Sequence, residues 1–164
     1  MSVLEKQEDL WKRIRFIQIN YNYIWQESSL FKYPYFAWVH WLQGLSPGIG
    51  LHYSMFLAAV STMGSEEQIK LWMPLIADHK ILGCYAQTEL GHGSDVSRLE
   101  TLATLDKSTD EFIIHSPTLT STKFWPGDLG RTTSHAVVFA RLKIDENDYG
   151  VQPFMVQLRD LNTW

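Results

Sequence analysis

The chain has 164 residues, of which 45% are hydrophobic and 20% charged, and this composition excludes a disordered protein. A net charge of −4 argues against a nucleic-acid-binding protein that uses a general basic surface. The single cysteine, Cys84, excludes an intramolecular disulfide framework and fits a reducing compartment.

Helical periodicity dominates the first half of the chain. Apolar side chains at steps of three and four predict a helix over residues 10–24, and an aromatic stretch predicts one or two helical turns at residues 35–41. Residues 51–63 are apolar on nearly every side, which predicts a buried helix. Ser65 and Gln68 have capping-box spacing and predict the start of another helix, which Pro74 should bend or end.

Strand patterns replace the helical pattern near residue 80. Alternation and β-branched residues predict five strands, at residues 81–87, 99–105, 111–115, 135–142 and 149–158. The turn-rich stretch at residues 106–110 predicts a hairpin between the second and third strands. We expect the strands to be antiparallel, each with one buried face.

The glycine-rich segment, residues 85–95, follows the first predicted strand. Glycines on both sides of His92 permit close approach of the backbone to a ligand, and exposed N–H groups in such a loop can bind phosphate oxygens. Gln87 and Thr88 offer an amide and a hydroxyl suited to the polar edge of a heterocycle. By composition alone, an ordinary glycine loop remains an equal alternative.

The aromatic segment, residues 122–130, contains Phe124 and Trp125 followed by Pro126 and Gly127. This order predicts a rigid turn that presents Trp125 beside a flat partner, with a role in the core as the alternative. The six histidines show no recognised metal spacing, so we predict no metal site.

Three passages resemble the flavin-dependent acyl-CoA oxidases, within the acyl-CoA dehydrogenase and oxidase superfamily. Residues 54–74 are similar to the last helices of the family's N-terminal domain, residues 83–93 to its first flavin-binding passage, and residues 99–130 to its β-domain. The Tyr-Ala-Gln-Thr-Glu motif at residues 85–89 and the Trp-Pro-Gly motif at residues 125–127 occur in the family's order and spacing. Leu90, where dehydrogenases usually have proline, and His92 favour the oxidase branch.

The resemblance implies an α+β fold with a partial N-terminal helical domain at residues 1–80. An antiparallel β-barrel-like domain would follow at residues 81–164 and carry half of the site for FAD. Thr88 would hydrogen-bond the flavin ring, and Gly127 would contact it through the backbone. Three further side chains would line the same pocket: Tyr85, Gln87 and Trp125. Ser94 matches a substrate-binding position in the dehydrogenases.

The implied activity is α,β-dehydrogenation of a fatty acyl-CoA to trans-2-enoyl-CoA, with oxygen reduced to hydrogen peroxide, in peroxisomal fatty acid β-oxidation. The implied partners are acyl-CoA, oxygen and a second copy in a homodimer, without nucleic acid or a membrane span. In this family the catalytic glutamate lies in a C-terminal helical domain. We therefore expect this domain to be missing, no catalytic residue to be assigned here, and this chain alone to be inactive.

Two alternatives remain open from the sequence. One is an acyl-CoA dehydrogenase that passes electrons to a carrier flavoprotein, which the Gly-Ser-Asp sequence at residues 93–95 would suit. The other is a non-catalytic module that binds flavin, acyl-CoA or a partner chain. Peroxide production with oxygen as the sole electron acceptor separates the oxidase from the dehydrogenase.

Overall fold

The computed structural model describes Lys12, residues 50–130 and residues 132–161. The chain divides into two units, Met1–Pro47 and Gly48–Trp164, and the fold described below belongs to the second. The helical stretches predicted at residues 10–24 and 35–41 lie outside the described residues, except for Lys12, which is helical and exposed. Among the described residues, no helix has the length and apolar character that a membrane span requires.

Among the described residues of the second unit, three helices precede the sheet. A π-helix spans His52–Leu57, helix α1 spans Ala58–Met63, and helix α2 spans Glu66–Ala77. The predicted all-round burial of residues 51–63 is wrong, because Met55 and Met63 are exposed and the buried side chains share one face.

The predicted capping box at the start of α2 is confirmed. The Ser65 hydroxyl accepts a hydrogen bond from the Gln68 N–H at 3.3 Å, and the Gln68 side chain accepts one from the Ser65 N–H at 2.9 Å. These bonds satisfy two N–H groups that a helix start otherwise leaves unpaired. Pro74 does not end α2, which continues to Ala77.

The five predicted strands are present, with bounds that differ from the predicted ones by up to three residues. They are β1 (Gly83–Ala86), β2 (Leu102–Asp106), β3 (Glu111–His115), β4 (His135–Ile144) and β5 (Asn147–Gln157). A 3₁₀ turn, Val96–Arg98, lies between β1 and β2. The predicted hairpin is confirmed, since β2 and β3 pair antiparallel.

Strand β4 lies at the centre of the sheet. On one edge, β1 pairs in parallel with its first half and β2 in parallel with its second half. The His135 N–H donates to the Leu82 carbonyl, and the Arg141 N–H donates to the Thr101 carbonyl. His135 and Arg141 are six residues apart on β4, and because this number is even, their N–H groups point to the same edge of the strand. Strand β5 pairs antiparallel along the other edge.

A mixed α+β architecture is therefore confirmed, but the prediction of an antiparallel, barrel-like sheet is wrong. The β1–β4 and β2–β4 pairs are parallel, and the strands described do not close into a barrel. The alternation of side chains along a strand shows which face is buried, but it carries no information about the direction of the neighbouring strand. Both β1 and β2 reach β4 through long crossovers rather than hairpins.

The core lies on both faces of β4. Val137 and Phe139 pack with Phe56 and Ile76 from the helices. On the opposite face of β4, Ala136 and Val138 pack with Cys84 and Ala86 of β1, and Ile114 of β3 packs against this cluster. The prediction of a single buried face is therefore wrong for β4, because this central strand separates two apolar clusters.

His52 joins the helices to the strand that leads into the candidate site. Its Nδ1 accepts a hydrogen bond from the Gly83 N–H at 3.0 Å, so Nε2 carries the proton and donates to the Ile76 carbonyl at 3.4 Å. Burial, together with repulsion from His79, lowers the pKa of His52 from 6.5 to about 3. The neutral ring therefore bridges the π-helix, α2 and β1.

Candidate functional site

The glycine-rich and aromatic segments lie side by side and run antiparallel. The Tyr85 N–H donates to the Pro126 carbonyl at 3.1 Å, and the Phe124 N–H donates to the Thr88 carbonyl at 3.0 Å. The Leu90 N–H donates to the Thr122 carbonyl at 2.9 Å. Two motifs far apart in the sequence thus form one surface, as their assignment to a common pocket requires.

Gln87 and Thr88 directly follow β1, within the paired segments, and both are half-buried. Their main-chain carbonyls are occupied by Lys123 and Phe124 respectively. Within residues 50–130 and 132–161, the side-chain amide of Gln87 and the hydroxyl of Thr88 have no hydrogen bond partner. Both polar groups are available to a ligand.

The aromatic segment presents its rings to the surface. Trp125 is 70% exposed, and its ring centroid lies 4.8 Å from that of Phe124. The backbone of Trp125 has a φ of 40°, a left-handed conformation that bulky residues rarely adopt. Strain of this kind concentrates at functional sites. The alternative role of Trp125 in the core does not fit its exposure.

Gly127 also has a left-handed backbone, with a φ of 89°. A Cβ atom at this position would lie 2.2 Å from Cδ1 of Leu51. The left-handed conformation favours glycine here, and a larger residue would also displace the end of the Leu51 side chain. By contrast, a Cβ atom at Gly130 would meet no atom within 4 Å.

The other two predicted site residues differ in their surroundings. Tyr85 on β1 is half-buried, and its ring lies 5.0 Å from that of Phe139 beside the main core. Burial raises the pKa of Tyr85, so its hydroxyl is neutral at physiological pH. Ser94 is exposed in the loop after the paired residues, where its carbonyl accepts from the Val96 N–H at 3.1 Å.

A buried ion pair, which the sequence reasoning missed, connects the two segments. Lys123 Nζ lies 3.1 Å from Glu89 Oε1, and the two side chains are 14% and 0% exposed. The same ammonium group donates to the carbonyls of Gln87 at 3.0 Å and Phe139 at 2.7 Å. All three of its protons therefore have an acceptor.

The Glu89 carboxylate accepts three further hydrogen bonds. The N–H groups of Glu100 and Thr101 donate at 2.8 and 2.9 Å, and the Thr101 hydroxyl donates at 2.6 Å. Burial alone raises the pKa of Glu89, but these bonds and the one from Lys123 outweigh it, so the pKa lies below its ordinary value. Burial lowers the pKa of Lys123. The hydrogen bond and the charge of Glu89 raise this pKa again, but they offset the effect of burial only in part.

Little in the sequence could have revealed this pair. Glu89 and Lys123 are 34 residues apart in the sequence, and each directly follows a threonine in a stretch that shows no strand alternation. Their burial follows from the antiparallel alignment of two distant segments, for which a single sequence gives no signal. The alignment places Glu89 opposite Lys123 as an isolated bridge.

Comparison with known proteins identifies relatives over most of the chain. Residues 2–82 match the family profile described as acyl-coenzyme A oxidase N-terminal. The peroxisomal acyl-coenzyme A oxidase 1 of Arabidopsis thaliana is 56% identical over 113 residues, which cover 69% of this chain and 17% of that relative. The chain thus spans about a sixth of the length of the curated relatives it matches.

Solved structures match as well. Acyl-CoA oxidase 3 from Yarrowia lipolytica is similar with a TM-score of 0.80 and 35% identity, over 99% of this chain and 24% of that one. Acyl-CoA oxidase-2 of Caenorhabditis elegans, solved with FAD, ascaroside-CoA and ATP, has a TM-score of 0.68 and 46% identity, over 71% of this chain and 18% of that one.

Proposed function

The chain belongs to the acyl-CoA oxidase family, and from this premise we propose that it contributes to the flavin site of an oxidase of fatty acyl-CoA. The proposed reaction is α,β-dehydrogenation to trans-2-enoyl-CoA with reduction of oxygen to hydrogen peroxide. The observation that carries the proposal is the antiparallel pairing of the glycine-rich and aromatic segments, which brings Thr88, Trp125 and Gly127 to one surface.

The side chains at this surface suit FAD. A flavin has a flat apolar ring with a polar edge. The paired segments offer exposed aromatic rings beside the side-chain groups of Gln87 and Thr88, which no described residue hydrogen-bonds. FAD, when bound, would supply the redox chemistry of the reaction. The task of the protein is to bind the ring, orient it and exclude water.

Each proposed site residue has a distinct part in this task. The Thr88 hydroxyl and the Gln87 amide would hydrogen-bond the polar edge of the ring, and Gly127 would approach it through the backbone. Trp125 and Tyr85 would limit the pocket and shield it from water. Ser94, in the exposed loop, would contact the acyl-CoA.

The base that removes the α-proton is not assigned to a described residue. Glu89 is unsuited to this role because it is fully buried and accepts four hydrogen bonds. Glu100 is engaged by the hydroxyls of Thr118 and Thr120. A general base must reach the proton that it removes.

The wider setting also belongs to the proposal. The division into a helical domain at residues 1–80 and a β-domain at residues 81–164 is supported by the family match, which ends at residue 82. A homodimer and a peroxisomal location follow the family, and several relatives, such as that of Arabidopsis thaliana, are named peroxisomal.

Flavin binding by the purified protein tests the proposal. Thr88→Val removes a hydrogen bond while keeping the shape, and it should weaken FAD binding by about 1 kcal/mol, or about fivefold in Kd. Gly127→Val adds bulk against the ring and strains the backbone, so it should abolish binding. FAD titration of the apoprotein, followed by flavin fluorescence, measures both effects.

Matched controls separate binding from folding. Thr104→Val, on the exposed side of β2, and Gly130→Val, in open space, should leave the FAD Kd unchanged. The double variant Leu51→Ala/Gly127→Val removes the contact with Leu51 and should still fail to bind FAD. If this double variant binds FAD like the wild type, Gly127 serves the packing of Leu51 and not the flavin.

Turnover of the complete enzyme, with FAD bound and the C-terminal helical domain present, distinguishes the remaining functions. An oxidase produces peroxide from palmitoyl-CoA with oxygen as the sole acceptor. A dehydrogenase reduces an artificial dye without comparable peroxide, and a binding module shows neither reaction while retaining FAD. Peroxide formation in step with enoyl-CoA is the expected result for the complete enzyme, and no turnover is expected of this chain alone.

A further inference from the structure

Lys123 stands at a break in the sheet. Strand β1 pairs with β4 as far as Ala86 opposite Val138, and β2 begins with Leu102 opposite Arg141. Between these two pairings, no strand of residues 50–130 or 132–161 lies beside the same edge of β4. The carbonyl of Phe139 faces this edge, because it alternates in phase with Arg141.

The ammonium group of Lys123 takes the place of the missing strand. Its bond of 2.7 Å to the Phe139 carbonyl satisfies a main-chain acceptor that would otherwise be buried without a partner. The bond of 3.0 Å to the Gln87 carbonyl reaches the glycine-rich segment directly before Thr88. One side chain from the aromatic segment therefore contacts both the sheet and the glycine-rich segment.

Glu89 holds this cation in place. Its carboxylate is fixed by the main chain at Glu100 and Thr101, on the approach to β2, so it offers Lys123 an immobile acceptor. A neutral side chain of similar length, such as methionine, could fill the space but could not donate to any of the three oxygens.

We propose that Lys123 is a positioning residue, whose ammonium group sets the spacing between Thr88 and Trp125 by binding the Gln87 carbonyl, the Glu89 carboxylate and the Phe139 carbonyl together. This inference rests on the proposed function only in one respect, namely that Thr88 and Trp125 bind flavin. The positioning itself is a property of the protein without flavin, and it can be measured separately.

The first test uses amide hydrogen exchange of the full chain without FAD. The N–H groups of Phe124 and Leu90 connect the two segments. In Lys123→Met, these two amides should exchange at least about tenfold faster than in the wild type, and this acceleration should exceed that of the amides between β4 and β5. Ile76→Ala is the matched control, since it removes buried volume from α2 and the hydrogen bonds that join the two segments do not involve Ile76. It should not accelerate these two amides selectively.

The second test measures FAD binding and the visible circular dichroism of bound flavin. Lys123→Met should raise the FAD Kd at least about tenfold and alter the dichroism, whereas Ile76→Ala should change neither at a temperature where both variants are folded. Lys123→Met with unchanged exchange at Phe124 and Leu90, or with acceleration spread evenly over the sheet, overturns the proposal. Wild-type protein that binds no FAD overturns the proposed function, while the exchange test still decides the role of Lys123.

Discussion

Two lysine–carboxylate pairs in this protein have opposite surroundings. Lys107 and Asp145 join the turns of the two hairpins, with 2.6 Å between Nζ and Oδ2, and they are 62% and 57% exposed. Lys123 and Glu89 join the glycine-rich and aromatic segments at a longer distance, 3.1 Å, and are almost completely buried. Distance alone would rank the surface pair as the stronger one.

Burial reverses this ranking for any change that breaks a pair. Water solvates either charge of the exposed pair when its partner is lost, so the free energy of unfolding changes little. No water replaces a lost partner in the buried pair, and the remaining charge and the main-chain donors are left unsatisfied. The comparison shows that the surroundings of an ion pair, more than its distance, decide what depends on it.

The largest effect is expected for removal of the buried carboxylate. Glu89→Ala leaves the Lys123 cation without its counter-charge and removes the acceptor of the Glu100 and Thr101 N–H groups. The free energy of unfolding should fall by about 3–5 kcal/mol. Urea denaturation followed by circular dichroism measures the loss.

A double-mutant cycle sharpens this prediction. Glu89→Gln combined with Lys123→Met removes both charges, and it should cost less than the sum of the two single changes because no unpaired charge remains buried. Additive losses, or a loss below about 1 kcal/mol for Glu89→Ala, would show that the pair is not coupled as its burial requires.

A second buried group, His52, should make stability depend on pH. Its pKa is about 3 in the folded chain and 6.5 in the unfolded chain, so below pH 6.5 the unfolded chain binds the additional proton. The stabilisation is complete above pH 6.5 and is lost as the pH falls towards 3. Between pH 7.5 and pH 5, the free energy of unfolding should decrease by about 2 kcal/mol through this group.

The non-titrating variant His52→Gln isolates the contribution of this residue. Other groups, including His135, whose pKa burial lowers, titrate in the same direction, so the comparison is between the two proteins at each pH. Urea denaturation at pH 7.5 and pH 5.0 should show a smaller loss for the variant. Equal losses in both proteins would contradict the assigned protonation of His52.

The hairpin of β2 and β3 was predictable from the sequence because its chemistry is local. Asp106 accepts from the N–H and the hydroxyl of Ser108, which forms the turn between β2 and β3. The capping box at Ser65 is local in the same sense. The parallel pairing of β1 and β2 with β4 was not predictable, because it depends on which distant strand lies beside β4.

In the candidate site too, some features could be predicted from the local sequence and others depend on how distant segments pair. Sequence motifs identified Thr88, Gln87, Trp125 and Gly127, and the structure brings the segments that carry them together. Their contacts with a flavin stay a prediction. Lys123 was missed because its function follows from a gap on the edge of β4, which appears only once the strands are placed.

The smallest effect is expected for the surface pair. Lys107→Gln removes a cation that is 62% exposed, and the remaining Asp145 carboxylate stays solvated. The free energy of unfolding should change by less than about 0.5 kcal/mol, and high salt should screen any difference from the wild type. Urea denaturation in low salt and in 1 M NaCl, an ionic strength with a Debye length of about 3 Å, measures both quantities. A loss as large as that of Glu89→Ala would refute the view that burial, and not distance, separates the two pairs.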